Sequence, residues 1–164
     1  MTDYNIGDYV VYPTHGVGQI EGIETQEVAG HKLELIAIKF SEDRMTLHVP
    51  MMKAKKCGLR ALSDDGIIEE ALTVLKSKAK TSKEIWARRA QNYEQKINSG
   101  DPVIIAEVIR DLYRKVNQPE QSFSERKIYE QAFDRLANEV AASRDYDNKD
   151  KAAQLLYASL KLQP

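Results

Sequence analysis

Over its first sixty residues the chain breaks into short runs that alternate between apolar and polar positions. YVVYP (9–13), VGQIEGIETQEV (17–28), HKLELIAIKF (31–40), MTLHVP (45–50) and GLRAL (58–62) are rich in Val, Ile, Leu, Tyr and Thr, with Gly, Asp or Pro in the gaps. A period of two with such punctuation predicts strands. In the third run Leu33, Leu35 and Ala37 stand opposite Glu34, Ile36 and Ile38. Val28-Ala29-Gly30-His31 and Ser41-Glu42-Asp43-Arg44 are the expected hairpin turns. Five short strands in so few residues predict a small, strongly bent antiparallel barrel of the SH3 or Tudor-like kind.

After Ser63-Asp64-Asp65-Gly66 the period becomes helical. Ile68, Ala71, Leu72 and Leu75 make one face of a first helix over 65–78. Ser82 is a candidate cap for a second, which Gly100 ends near residue 98. Asp101 followed by Pro102 is the preferred order at a helix start. A third helix lined by Val103, Ala106, Ile109, Leu112, Tyr113 and Val116 should follow, closed by Pro119. Phe123 and Ile128 bracket Ser124 at the spacing of a hydrophobic staple, so a fourth helix runs to about Ser143. Asp147 can cap a fifth, lined by Ala152, Leu155, Leu156 and Leu160. The fold class expected is α+β with segregated halves: a β domain at 1–62 and a bundle of about five helices at 63–164.

Charge changes this picture at one place. The whole chain has a net charge of −1, which argues against a nonspecific coat for nucleic acid. Residues 76–96, however, hold seven basic residues against two acidic ones, a local net of +5, while 1–60 and 97–164 are each close to neutral. Into this segment falls the only tryptophan, Trp86, followed by Arg88 and Arg89. No apolar run approaches the ~18 residues of a membrane span. The N-terminus has no signal-like segment, and one cysteine, Cys57, excludes an internal disulfide framework, so a cytoplasmic protein is expected.

Catalytic signatures are absent. There is no Gly-rich phosphate loop, G-x-S-x-G or H-E-x-x-H, and His15, His31, His48 and Cys57 match no zinc spacing. Asp64-Asp65 and Glu69-Glu70 sit at a helix start, where carboxylates complement the helix dipole. The expectation is a protein that is not an enzyme and needs neither cofactor nor metal.

On a wheel centred on Trp86, Ala90, Tyr93 and Ile97 fall within about 40° of it, Arg89 lies at the rim and Arg88 on the far side. The wheel alone favours a core indole with solvated arginines. Against that, Trp86 is in the first turn, where side chains lean beyond the helix start, and KSKAKTSK (76–83) offers little apolar cover. Residue physics leaves the two readings open.

The opening IGDYVVYPTHGVGQIEGIET resembles the entry motif of the CarD/CdnL family of bacterial transcription regulators, its signature represented by Val11-Tyr12-Pro13-Thr14-His15-Gly16-Val17-Gly18. MTLHVP and the run IWARRAQNYEQKINSGDPVIIAEVIRDLYRK resemble the same family, in the right order over nearly the whole chain. The resemblance implies that the N-terminal Tudor-like domain binds the RNA polymerase β subunit, through Gln26, Thr46, His48 and Pro50. It implies that the helical domain reaches promoter DNA at the upstream edge of the bubble and stabilises the open complex. Trp86 would be the wedge, with Lys83, Arg88, Arg89 and Arg126 on the DNA. The protein would act as a monomer, away from any membrane. Gln26 and His48 depart from the arginines that family members often carry there, and Gln91 stands where some have lysine. An Arg–carboxylate pair would then give way to strand-edge pairing and neutral hydrogen bonds. The competing reading is a protein–protein adaptor with no DNA contact, its basic segment facing an acidic partner.

Overall fold

A computed structural model describes residues 4–40, 44–80, 82–115 and 118–164. The chain divides into two compact units, Met1–Leu62 and Ser63–Pro164.

The first unit is an antiparallel sheet of β1 (Tyr9–Tyr12), β2 (Gly16–Val28), β3 (His31–Phe40), β4 (Met45–Pro50) and β5 (Arg60–Ala61), in the order β4-β3-β2-β1-β5. The turn between β2 and β3 is made by Ala29 and Gly30, both at positive φ (51° and 80°), the backbone a two-residue hairpin requires. The other expected turn, Ser41-Glu42-Asp43-Arg44, lies largely outside the described residues. Alternation sends Ile20, Ile36, Ile38, Phe40 and Val49 to one face, where they form a core with Val10, Ala54 and Leu59. A register shift between Ile20 and Gly22 bends β2, so the long hairpin curls over that core.

The sheet does not close into the expected barrel. Closure needs two edge strands long enough to run side by side. β5 has two residues and pairs only with β1, while β4 pairs only with β3. The 3-10 turn Met51–Lys53 and the residues after it take the place of the missing ladder, with Ala54 and Leu59 buried and Met51 packed on the core.

The second unit holds α1 (Asp65–Lys76), α2 (Trp86–Asn98), α3 (Pro102–Leu112), α4 (Phe123–Ser143) and α5 (Lys149–Leu160). Their apolar stripes meet in one core that includes Ile68, Leu75, Ile97, Ile109, Leu136 and Leu156. Asp64 accepts from Ile67 N at 3.0 Å, and Asp101 accepts from Val103 N at 2.9 Å. Three expected boundaries move. Ser122, not Ser124, caps α4, by accepting from Glu125 N at 3.2 Å. Asn148, not Asp147, caps α5, by accepting from Asp150 N at 3.0 Å. α3 stops at Leu112, with Tyr113 as its extended C-cap and Val116 outside the described residues. In each of the two shifted caps, neighbouring short polar side chains compete, and the one whose backbone is extended at the right residue wins. Ser82 does not cap α2. Its Oγ accepts from Glu84 N instead, and α2 begins at Trp86 with no side-chain cap.

The segment before α2 is pinned from behind. Buried Arg110 donates from Nε to Asp111 at 2.9 Å and from Nη1 to Ser77 Oγ at 3.1 Å, and Asp111 accepts from Lys80 N at 2.9 Å. This ties residues 77–80 to α3 and leaves the basic stretch ahead of Trp86 outside the core.

Two expectations follow for stability. A methyl group at Gly18 would come within 2.5 Å of Ile38 Cγ2 and 2.9 Å of the Phe40 ring. Gly18→Ala should therefore destabilise the sheet unit by about 1–3 kcal/mol in chemical denaturation, the range for overpacking a core. Tyr129 is half-buried in α4, and burial, reinforced by Tyr157 and Tyr113, raises its phenol above the ordinary value. The folded state then holds that proton where the unfolded chain, with a phenol near pH ~10, has lost it. Its contribution is complete below that pH and fades as pH rises further. Denaturation at pH 9 and pH 11 should show a loss that Tyr129→Phe reduces.

Candidate functional site

The face of the sheet opposite the core carries the first set of expected residues. Register pairs Gln26 with Leu33, Glu24 with Leu35, Leu35 with Pro50, Ala37 with His48 and Lys39 with Thr46. Paired residues share a face, and so do alternate residues of one strand. Gln26, Thr46, His48 and Pro50 therefore lie together on that face, around Leu35 and Ala37. His48 Nε2 is 3.3 Å from Glu24 Oε2, a pair that reaches from β4 to β2 across β3, where the small Ala37 leaves room. Both side chains are about half exposed, so this pair orients the imidazole more than it stabilises the sheet. β4 is an edge strand, and its outer backbone groups are open to a partner strand.

The second set gathers at the start of α2. Trp86 is its first residue and is half-buried, so the indole neither joins the core fully nor stands free of it. Its ring centroid lies 6.3 Å from that of Tyr93, tilted by 51°. The Arg89 guanidinium sits 5.4 Å from the Trp86 centroid and 5.7 Å from the Tyr93 centroid, and its Nη2 donates to Tyr93 Oη at 3.2 Å. Arg89 Nε is buried with no hydrogen-bond partner among the described residues, and the two π faces account for its place. Arg89 therefore positions the indole, and its charge is partly covered. Arg88 is on the exposed face, 3.8 Å from Glu84, and Lys83 is exposed just ahead of the helix. With no side-chain cap, the first N–H groups of α2 point outward at the positive end of the helix dipole, which favours an anion.

The N-terminus of α4 comes to the same place. Trp86 and Ala90 of α2 face Phe123, Lys127 and Ile128 of α4 across a depression of about 300 Å³. Arg126, also in the first turn of α4, is exposed but lines a different depression, with Tyr113 and Tyr129. The geometry thus joins Trp86 to Arg89 and leaves Arg126 to one side. Phe123 and Lys127 were not among the expected site residues. Phe123 had been given to a staple with Ile128, yet it is 84% exposed. A wheel shows why: Phe123 lies about 140° from Ile128, off the stripe that buries Ile128, Ala132 and Leu136. Once Ser122 is recognised as the cap, Phe123 falls at the first helical position and the staple geometry is lost.

What these surfaces can do is bind. Among the described residues no group of three or more His, Cys, Asp or Glu is placed to hold a metal ion, and no helix is long and apolar enough to cross a membrane.

Comparison with known proteins gives two family matches in order along the chain. Residues 4–63 match the family described as CarD-like/TRCF RID domain, and residues 70–156 match the family described as CarD, C-terminal domain. The chain is 29% identical over 146 residues to the Bacillus subtilis (strain 168) protein named "Putative transcription factor YdeB", covering 89% of this chain and 95% of that one. A solution NMR structure of the 72-residue N-terminal domain of Myxococcus xanthus CarD is 38% identical, covers 35% of this chain and 76% of that one, and superposes with a TM-score of 0.31.

Because the indole is half-buried, Trp86→Ala should cost about 1–2 kcal/mol, below the 3–5 kcal/mol of a fully buried aromatic. Thermal melting checks this. A loss in the upper range would place the ring in the core.

Proposed function

The chain belongs to the CarD family, and from that premise we propose that it is a transcription factor that binds RNA polymerase and promoter DNA. In finer terms, the sheet unit takes the polymerase β subunit on the face and edge built by Gln26, Thr46, His48 and Pro50. The helical unit takes promoter DNA at the upstream edge of the melted region. The observation that carries the DNA contact is the half-buried Trp86 at an uncapped helix start, inside a stretch of net charge +5.

An apolar wedge at a distorted base step is a known way to hold DNA open, with cations nearby on the phosphates. Here the indole is the wedge, Arg89 fixes its orientation, and Lys83 and Arg88 supply charge. No chemical step is involved. A factor that binds the open complex better than the closed one shifts the equilibrium by its difference in affinity. On the polymerase side, Gln26 and His48 offer hydrogen bonds, and the free edge of β4 offers a row of backbone groups.

The test is the lifetime of the promoter open complex. The full chain should lengthen it, and Trp86→Ala should return it toward the value without the factor while the variant stays folded. A lifetime unchanged by the substitution sinks the wedge. Failure of the wild-type chain to bind fork-shaped DNA would leave an adaptor that touches proteins only.

A further inference from the structure

We infer that Phe123 is a second apolar contact to promoter DNA, working beside Trp86 on an unstacked base; this rests on the DNA-binding reading above. Phe123 is the most exposed large apolar side chain among the described residues of the helical unit, at 84%. It opens α4, and together with Trp86, which opens α2, it lines one depression of about 300 Å³. Ile85, immediately before Trp86, is 74% exposed. Two helix starts thus bring three large apolar groups to one end of the bundle, facing solvent.

Charge complementarity selects the occupant. Lys127 lines the depression, and Lys83 and Arg126 are exposed nearby in sequence, at the starts of α2 and α4. None of the three side chains has an ion-pair partner among the described residues. Glu94 is the one acidic residue on the wall. A flat apolar ring flanked by unspent cations matches a nucleotide, which presents a π face a few ångströms from a phosphate. Trp86 is tied to Tyr93 and Arg89, so it offers only part of its ring. Phe123 has no such cover and supplies a whole face.

Binding of the full chain to labelled fork-junction DNA, measured over a series of salt concentrations, tests this. Phe123→Ala should weaken fork binding about tenfold, the scale of one lost base–aromatic stack, and leave the slope against salt unchanged because no charge is removed. Phe123→Tyr should bind like the wild type. Lys127→Gln should lower the salt slope. The substitutions at Phe123 leave the melting temperature in place, since the ring is exposed. Wild-type affinity in Phe123→Ala, with loss in Trp86→Ala, overturns this inference and leaves the DNA reading standing. Equal losses on fork and fully paired duplex also overturn it, as would wild-type fork binding by Phe123→Leu, which keeps bulk without a flat face. No fork binding by the wild-type chain fails the DNA reading itself.

Discussion

An indole at the first residue of a helix has neighbours on one side only. There is no preceding turn to lie against, and the side chain leans past the helix end instead of back onto a packed row. Much of the helical unit's exposed chemistry follows from this constraint at Trp86. The ring can bury one face against Tyr93, and its remaining area must be covered by something brought from elsewhere. Arg89 is the available cover, three residues on and within reach of both rings. A cation so used is less free for a phosphate, which shifts the electrostatic task to Lys83, Arg88 and the start of α4.

The two units present different kinds of surface because their elements leave different things unsatisfied. An open sheet leaves a backbone edge and a face of short polar side chains around Leu35 and Ala37. A bundle whose helices begin at one end leaves N–H groups and first-turn side chains there. The first surface suits a strand from a folded partner; the second suits a flexible anion that carries flat groups. The Arg110–Asp111–Ser77 cluster sharpens the difference, since it holds residues 77–80 against α3 and keeps the lysines of that stretch out in solvent.

Much of this was readable from residues, and the misses share a cause. β3 and β4 begin and end where alternation places them, and the hairpin at Ala29-Gly30 follows from local turn chemistry. Closure of the sheet was not readable, because it depends on how Arg60–Ala61 meets the far edge, a relation between residues distant in sequence. Helix caps slipped by one or two positions wherever two short polar residues compete, as at Ser122 and Ser124. The charge of the candidate DNA surface was legible in residues 76–96. The part played by Phe123 was not, since it depends on where α4 starts and on which side of α2 that start is packed.

The free edge of β4 has a further consequence. Backbone hydrogen bonds are indifferent to which side chain a residue carries, so an interface built on strand addition inherits a register more than a set of contacts. Along such an edge the flanking residues can drift, arginine giving way to glutamine or histidine, provided the strand keeps its length and its outward direction. Six residues from Met45 to Pro50, ended by a proline that can lengthen the ladder no further, fix that frame. What descent conserves on this side of the molecule would then be a ruler and not a vocabulary.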